Sequence, residues 1–149
     1  MNRQSEDILT AKGIQPTAMR LLVLEYLYRQ PSAVNLQKLE TDFYHADRTT
    51  LYRTLKTFEE KGLVHQIKDG SETTKYALCA DACSDGEHYD LHLHFHCTKC
   101  GETTCLPKTK IPEVALPANF RVTEINLVAK GICDNCQTKQ CNPVARGNK

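Results

Sequence analysis

Two cysteine pairs are the residues of this sequence best suited to hold a metal ion. The spacing C-x2-C occurs twice, at Cys97/Cys100 and at Cys133/Cys136. Each pair can place two thiolates on one ion from a tight turn. Two pairs complete a tetrahedral shell that leaves no position open for a substrate. The spacing therefore predicts a structural Zn2+ site, with disulfides as the alternative interpretation.

Three histidines alternate with apolar residues directly before the first cysteine pair, in the sequence LHLHFHC. A period of two indicates a β-strand with one apolar face and one imidazole face. Such a strand presents His92 and His94 side by side as candidate ligands of a second ion. The alternative is a polar strand face in solvent. His96 shares this face but adjoins Cys97, so it is the weaker candidate.

Composition limits what else the chain can be. With 149 residues it forms one medium domain or two small ones, and a metal ion is a useful cross-link for a thin core. The net charge of +1 neither predicts nor excludes a nucleic-acid partner. No segment resembles a signal peptide or a membrane span. We therefore expect a cytoplasmic protein without a membrane partner, in which eight cysteines favour metal over disulfides.

The first half of the chain has the periodicity of helices followed by a hairpin. Thr17 is a candidate N-cap for the second helix, and Gly62 ends the fourth. Helices and then two strands are the order of a winged helix-turn-helix, a common reader of duplex DNA. The predicted elements are helices over 3–12, 18–30, 34–44 and 48–61 and strands over 63–68 and 75–78.

The fourth helix has two faces of opposite character. Leu51, Leu55 and Phe58 are spaced to face a core. The other face combines hydroxyl, aromatic and cationic groups, which suits a major groove because arginine can fork onto guanine. The alternative is an ordinary solvated face. The candidate DNA contacts on this helix are Arg48, Thr49, Tyr52, Arg53 and Lys56; Lys12 and Arg20 are candidates for phosphate or minor-groove contacts.

Composition shifts after Cys79 to a polar, acidic loop over 80–90. Beyond the histidine strand, further strands are predicted over 103–106 and 120–129. Prolines between them allow only about one helical turn. The tail over 137–149 is predicted to be disordered. The second half is thus predicted to be a small sheet domain held together by zinc.

The chain resembles members of the ferric uptake regulator family of metal-responsive repressors over residues 9–136. The resemblance implies an α+β fold: an N-terminal winged helix-turn-helix domain and a small C-terminal α/β dimerisation domain with a four-cysteine zinc site. The implied organisation is a DNA-binding domain over 1–79, a hinge over 80–90, a dimerisation and metal-binding domain over 91–136 and the tail. The motifs are KGIxPTxxR at 12–20, RTTLYRTL at 48–55, HxHxxCxxCG at 92–101 and GICxxC at 131–136.

The same resemblance implies a homodimeric repressor that binds a palindromic operator in double-stranded DNA under control of an ion at the hinge. The sequence YALC at 76–79 is similar to the zinc uptake regulator branch, while Ala33 and Ala77 stand where iron and peroxide sensors carry a histidine and a carboxylate. Thiolate and imidazole together suit Zn2+ better than Fe2+ or Mn2+. The implied regulatory ligands are His65, Cys79, His92 and His94.

Several alternatives stay open. The loop after Cys79 is long, so one of three residues could replace a predicted ligand: Cys83, His88 or His96. Cys105 and Cys141 are interpreted as spare thiols, although Cys141 could replace Cys136. Alternative functions are an iron-, manganese- or peroxide-responsive regulator, or a redox-sensing zinc protein. A zinc hydrolase would need an ordered carboxylate base, which no motif supplies, so no enzyme is predicted.

Overall fold

The computed structural model of this chain describes residues 3–78, 93–106, 109, 111–122 and 125–138. These residues form two compact units, within Met1–Asp90 and within Leu91–Lys149. The predicted hinge over 80–90 and the predicted tail beyond Thr138 lie outside the described residues. The helices are α1 (Arg3–Ala11), α2 (Ala18–Arg29), α3 (Leu36–Asp42), α4 (Arg48–Glu60) and α5 (Asp134–Gln137). The strands are β1 (Val34–Asn35), β2 (Val64–Ile67), β3 (Lys75–Leu78), β4 (Leu93–Cys97), β5 (Thr103–Leu106) and β6 (Leu127–Gly131).

The helix ends of the first unit follow local capping chemistry. The Thr17 side chain accepts a hydrogen bond from the Arg20 N–H at 3.3 Å and begins α2. Gly62 takes the left-handed conformation, with φ of 71°, directly after α4. Both caps stand where the sequence predicts them. Among the described residues, no helix combines the length and the apolar character needed to cross a membrane.

The predicted helix over 34–44 is wrong at both ends. Val34 and Asn35 form β1, which pairs antiparallel with β3, and α3 ends at Asp42. Val34 is a β-branched residue that is 2% exposed, so it packs into the core as a strand residue. The Asn35 side chain accepts a hydrogen bond from the Lys38 N–H at 2.8 Å and thereby caps α3. The sheet of this unit consequently has three strands, in the order β1-β3-β2.

The core of the first unit is built on the apolar face of α4. Leu51, Leu55 and Phe58 are fully buried, as their spacing predicts. Leu9 of α1, Leu24 of α2 and other apolar side chains pack around them. Burial of each such side chain stabilises the fold by about 1.5–3 kcal/mol. Because this face is fixed in the core, the opposite face of α4 is turned outward.

The second unit is a three-stranded sheet in the order β5-β4-β6. The central strand β4 pairs antiparallel with β5 and parallel with β6. The predicted strand over 120–129 is wrong, because the strand begins at Leu127 and runs to Gly131, while Phe120 and Val122 are exposed and belong to no strand. A Cβ atom at Gly131 would lie 3.3 Å from the Phe95 ring, so glycine allows β6 to pass closely beside that ring.

Candidate metal centre and nucleic-acid interface

Four cysteines of the second unit meet at one end of its sheet. Cys97 and Cys100 flank the turn after β4, and Cys133 and Cys136 flank the start of α5. All four sulfur atoms lie within 4.8 Å of one another. The Sγ atoms are 3.7 Å apart for Cys97 and Cys136, and 4.0 Å apart for Cys100 and Cys133. Four thiolates at about 2.3 Å from a tetrahedral Zn2+ would be about 3.8 Å apart, so the cluster fits this ion.

Backbone N–H groups surround the sulfur of Cys97. The N–H groups of Cys100 and Cys133 donate to this Sγ over 3.5 and 3.4 Å. Burial raises the pKa of the Cys97 thiol, but these hydrogen bonds and one from the Lys99 N–H outweigh burial and lower the pKa to about 6. The lowered pKa favours the thiolate, which is the form that binds a metal.

The turn that carries the first cysteine pair is tied to the strand that leads to the second. Gly101 has φ of 77° and donates its N–H to the Cys97 carbonyl at 2.9 Å. The Thr98 N–H donates to the Gly131 carbonyl at 2.8 Å. Both pairs are therefore positioned by backbone hydrogen bonds as well as by the sulfur cluster. The four-cysteine cluster predicted from the sequence is confirmed as a group of neighbouring thiols.

Strand β4 presents two chemically different faces. Phe95 and Cys97 belong to the face that packs with the cysteine cluster. His94 and His96 alternate with them and belong to the opposite face. The His94 side chain is 6% exposed, and His96 Nδ1 lies 2.9 Å from the Thr103 hydroxyl. The imidazole face predicted from the alternation is thus present, with His94 buried within it.

Cys105 of β5 lies directly opposite His94 in the antiparallel register. A ring nitrogen of His94 and the sulfur of Cys105 are within 4.8 Å of each other. Cys105, which the sequence indicates only as a spare thiol, therefore has a histidine neighbour that the sequence does not predict. The predicted strand over 103–106, folded back antiparallel after the turn of the C-x2-C motif, was the signal that could have revealed it.

Of the predicted regulatory ligands, the structure describes His65 and His94. His65 lies in the first unit on β2, opposite Ala77 of β3, and is 8% exposed. It is therefore a buried histidine and not the surface residue that a lone strand histidine often is. Four other residues considered as ligands lie outside the described residues: Cys79, Cys83, His88 and His92.

The outward face of α4 carries the predicted DNA-contacting groups. All five of its candidate residues are exposed, and the Tyr52 side chain is 47% exposed despite its aromatic ring. In a helix-turn-helix the second helix enters a major groove, and α4 follows α3 and a turn in the same order. The exposed candidates on α4 are Arg48, Thr49, Tyr52, Arg53 and Lys56.

Three of the candidate cations lie near helix ends: Arg48 at the start of α4, and Lys12 and Arg20 outside α4. Arg48 forms an exposed ion pair with Glu40 of α3, with 3.1 Å between Nη1 and Oε2. Arg20 donates from Nη1 to the Gln15 carbonyl at 2.9 Å, which holds its side chain against the segment before α2. Lys12, like Arg20, is partly exposed. A phosphate backbone can reach these two partly exposed cations, whereas the candidates on α4 are exposed.

The chain is similar in sequence and in fold to known regulatory proteins. A peroxide-responsive repressor PerR from Staphylococcus saprophyticus is 26% identical over 152 residues, covering 93% of this chain and 95% of that protein. The chain is also similar to a solved structure of a zinc uptake regulator complexed with zinc and DNA, with a TM-score of 0.63 and 23% sequence identity. The matched region covers 93% of this chain and 94% of the chain in that structure. It is similar as well to the structure of the Vibrio cholerae ferric uptake regulator, with a TM-score of 0.58 and 20% sequence identity. That match covers 86% of this chain and 98% of the Vibrio cholerae chain.

The family comparison covers most of the chain. The sequence profile described as "Ferric uptake regulator family" matches residues 11–130. That range contains both the exposed face of α4 and the histidine strand with its first cysteine pair. Together with the winged-helix unit and the four-cysteine cluster, the match establishes that this chain belongs to the ferric uptake regulator family, whose members are metal-responsive transcriptional regulators.

Proposed function

We propose that this chain is a zinc-responsive transcriptional repressor that binds a palindromic operator as a homodimer and controls genes for metal uptake. The observation that carries the proposal is the outward face of α4 in a winged helix, with Arg53 and Lys56 both exposed. The buried side of the same helix fixes the orientation of this face. A repressor acts where the chromosome is, so the proposal includes the cytoplasm as the location.

The choice of zinc depends on ligand chemistry. We propose that one Zn2+ occupies the four-cysteine cluster and has a structural role, because four thiolates leave no open position. We propose that a second ion is regulatory and is held by the set implied by the sequence: His65, Cys79, His92 and His94. The structure describes two members of this set, His65 and His94, and both are buried histidines. Imidazoles with a thiolate favour Zn2+ over the harder Fe2+ and Mn2+.

The proposed dimer has support in the surface of the second unit. Several large apolar side chains are exposed there, and Phe120 is 67% exposed. We propose that these exposed apolar side chains contribute to a protein–protein interface, because burial against a partner would remove them from water. A symmetric dimer would place two copies of α4 on the two halves of a palindrome. The other exposed apolar residues of this unit are Val114, Leu116, Val122 and Ile132.

The test measures operator affinity as a function of free zinc. The operator is first selected from random duplexes by the zinc-loaded protein. Because the ion is linked to DNA binding, we expect zinc to tighten DNA binding by roughly 5–150-fold, and DNA to tighten zinc binding by the same factor. Cys79→Ser should lose this response and keep the structural zinc. A response that is identical in wild type and Cys79→Ser would remove Cys79 from the regulatory set.

The alternative function is a peroxide-responsive regulator, favoured by the PerR relative at 26% identity. The two functions differ in the metal that activates DNA binding and in the effect of peroxide at constant zinc. The zinc proposal predicts activation by Zn2+ and no loss of operator binding at peroxide concentrations that leave the thiols reduced. Activation by Fe2+ or Mn2+ where Zn2+ fails would favour the alternative instead.

A further inference from the structure

We infer that Glu40 of α3 sets the specificity of DNA binding by orienting Arg48, the first residue of α4. The inference rests on the proposed function, because it concerns how the winged helix selects its operator. Nη1 of Arg48 lies 3.1 Å from Oε2 of Glu40, and the two side chains come from successive helices of the helix-turn-helix. Glu40 is thus a positioning residue that acts on DNA through Arg48.

Arg48 stands at the end of α4 that is best placed to read bases. In a helix-turn-helix, the N-terminal residues of the second helix contact base edges. The positive end of the α4 dipole disfavours a cation at this position, and the sequence of the first turn, RTTL, contains no acidic residue to offset it. Glu40 supplies the missing negative charge from the neighbouring helix.

Packing does not fix the Arg48 side chain. The side chain is 68% exposed and borders a cavity of about 410 Å3 between α3, the start of α4 and strand β3. Glu40 is better fixed, because its side chain is 27% exposed and the adjacent Leu39 is fully buried in the core. The direction of the Arg48 guanidinium therefore depends on the Glu40 carboxylate.

A guanidinium held by one carboxylate can still read a base. Arginine has five N–H donors, and the hydrogen bond to Glu40 uses one of those on Nη1. Nη2 and Nε keep their N–H groups, which can form two parallel hydrogen bonds to O6 and N7 of guanine. The ion pair is therefore compatible with direct readout by an oriented arginine.

The same carboxylate makes a nonspecific phosphate contact less favourable. A phosphate that approached Arg48 would have to displace Glu40 or lie beside a second negative charge. Every duplex presents phosphates, whereas a guanine at the right position is a property of the operator. A repulsive group of this kind increases specificity, because it lowers the affinity for wrong duplexes more than for the right one.

The test measures the affinity of full-length, zinc-loaded protein for operator and for random duplex over a salt series, with the operator selected by the wild-type protein. In Glu40→Gln, random duplex should bind roughly two- to fivefold more tightly, the range expected for an exposed ion pair. The salt slope on random duplex should steepen by roughly one, because Arg48 gains a phosphate. The operator should bind no more tightly than before, so the ratio of the two affinities falls. Asp7→Asn removes one exposed negative charge from α1 and is the matched control, in which the ratio should not change.

The variant Arg48→Ala separates a positioning role from a general effect of charge. In that background Glu40→Gln should leave the ratio unchanged, because no guanidinium remains to be oriented. Glu40→Ala removes the same carboxylate and keeps the inference testable if the glutamine variant does not fold.

Two results would overturn the inference and leave the proposed function intact. One is an unchanged ratio in both Glu40→Gln and Glu40→Ala. The other is a ratio that falls by the same factor with and without Arg48. Discrimination by the wild-type protein that does not depend on zinc would reject the zinc-responsive function, while the same ratios would still decide the role of Glu40.

Discussion

Lys75 and Asp69 form an ion pair in the wing, the β2–β3 hairpin, with Nζ 2.7 Å from Oδ2 and side chains that are 9% and 0% exposed. The other carboxylate oxygen of Asp69 accepts a hydrogen bond from the Ser71 N–H at 2.9 Å. Asp69 therefore both neutralises a buried cation and shapes the turn between the two strands.

Replacement of Asp69 should destabilise the first unit. Asp69→Asn keeps the oxygen that Ser71 uses but leaves the Lys75 ammonium buried without its countercharge, which should cost about 3 kcal/mol. Urea unfolding followed by helical circular dichroism measures this loss, because α1–α4 all lie in the first unit. Glu40→Gln removes the exposed ion pair with Arg48 and is the matched control, with an expected cost below about 1 kcal/mol. Equal losses in the two variants would contradict the role of burial.

Loss of one cluster cysteine should affect the second unit alone. Cys100→Ser removes one of four thiolates, so we expect the protein to lose one tightly bound zinc per chain and the second unit to unfold or precipitate. Metal content after dialysis against a mild chelator measures the loss of zinc. The rate of proteolysis within the second unit measures its unfolding. A soluble variant with unchanged zinc content would show that the cluster is not a zinc site.

Arg53 and Lys56 should contribute to DNA binding in different ways. Arg53→Ala should reduce discrimination between operator and random duplex by about 1–3 kcal/mol, because arginine can read a base edge. Lys56→Ala should weaken both complexes about equally and reduce the salt slope by roughly one, as expected for a phosphate contact. The measurement is affinity for both duplexes over a salt series. Equal loss on both duplexes for Arg53→Ala would assign Arg53 to the backbone instead.

The contact between α2 and α3 should make stability depend on acid pH. The Tyr26 hydroxyl donates a hydrogen bond to the Asp42 carboxylate, which lowers the pKa of Asp42; burial opposes this and Lys38 adds to it. A lowered folded pKa contributes stability that is present above the ordinary pKa of about 4 and is lost as pH falls through the folded value. Tyr26→Phe should therefore cost about 1 kcal/mol at neutral pH and less below pH 4, in urea unfolding at each pH. A cost that does not change with pH would contradict this origin.

The sequence predicted those elements whose signals are local. Periodicity located α4 and β4, and the caps at Thr17 and Gly62 marked the helix ends. The cluster of four cysteines was predictable because two C-x2-C motifs have few other interpretations. Each of these conclusions depends on spacing within a short segment.

What the sequence did not predict depends on pairing between distant segments. Val34 reads as the first turn of a helix and becomes a strand only because it lies opposite Tyr76 in β3. The phase of β6 is set by its parallel register with β4, in which Leu127 pairs with Leu93, and local alternation placed that strand too early. Cys105 gains a partner in the same way, through its register with His94. Tertiary pairing overrides local preference at Val34 and at the start of β6, and at Cys105 it supplies a neighbour that no local signal indicates.

The two faces of β4 make this strand intolerant of single-residue insertions. Adjacent side chains from His94 to Cys97 lie on opposite faces of the strand, so one added or deleted residue between them would move either the histidine or the cysteine to the wrong face. A two-residue change would restore the faces but shift the strand against β5 and β6. Evolutionary change in this segment should therefore proceed by substitution and not by change of length, and a regulator with altered metal preference is best sought by exchanging side chains at fixed positions.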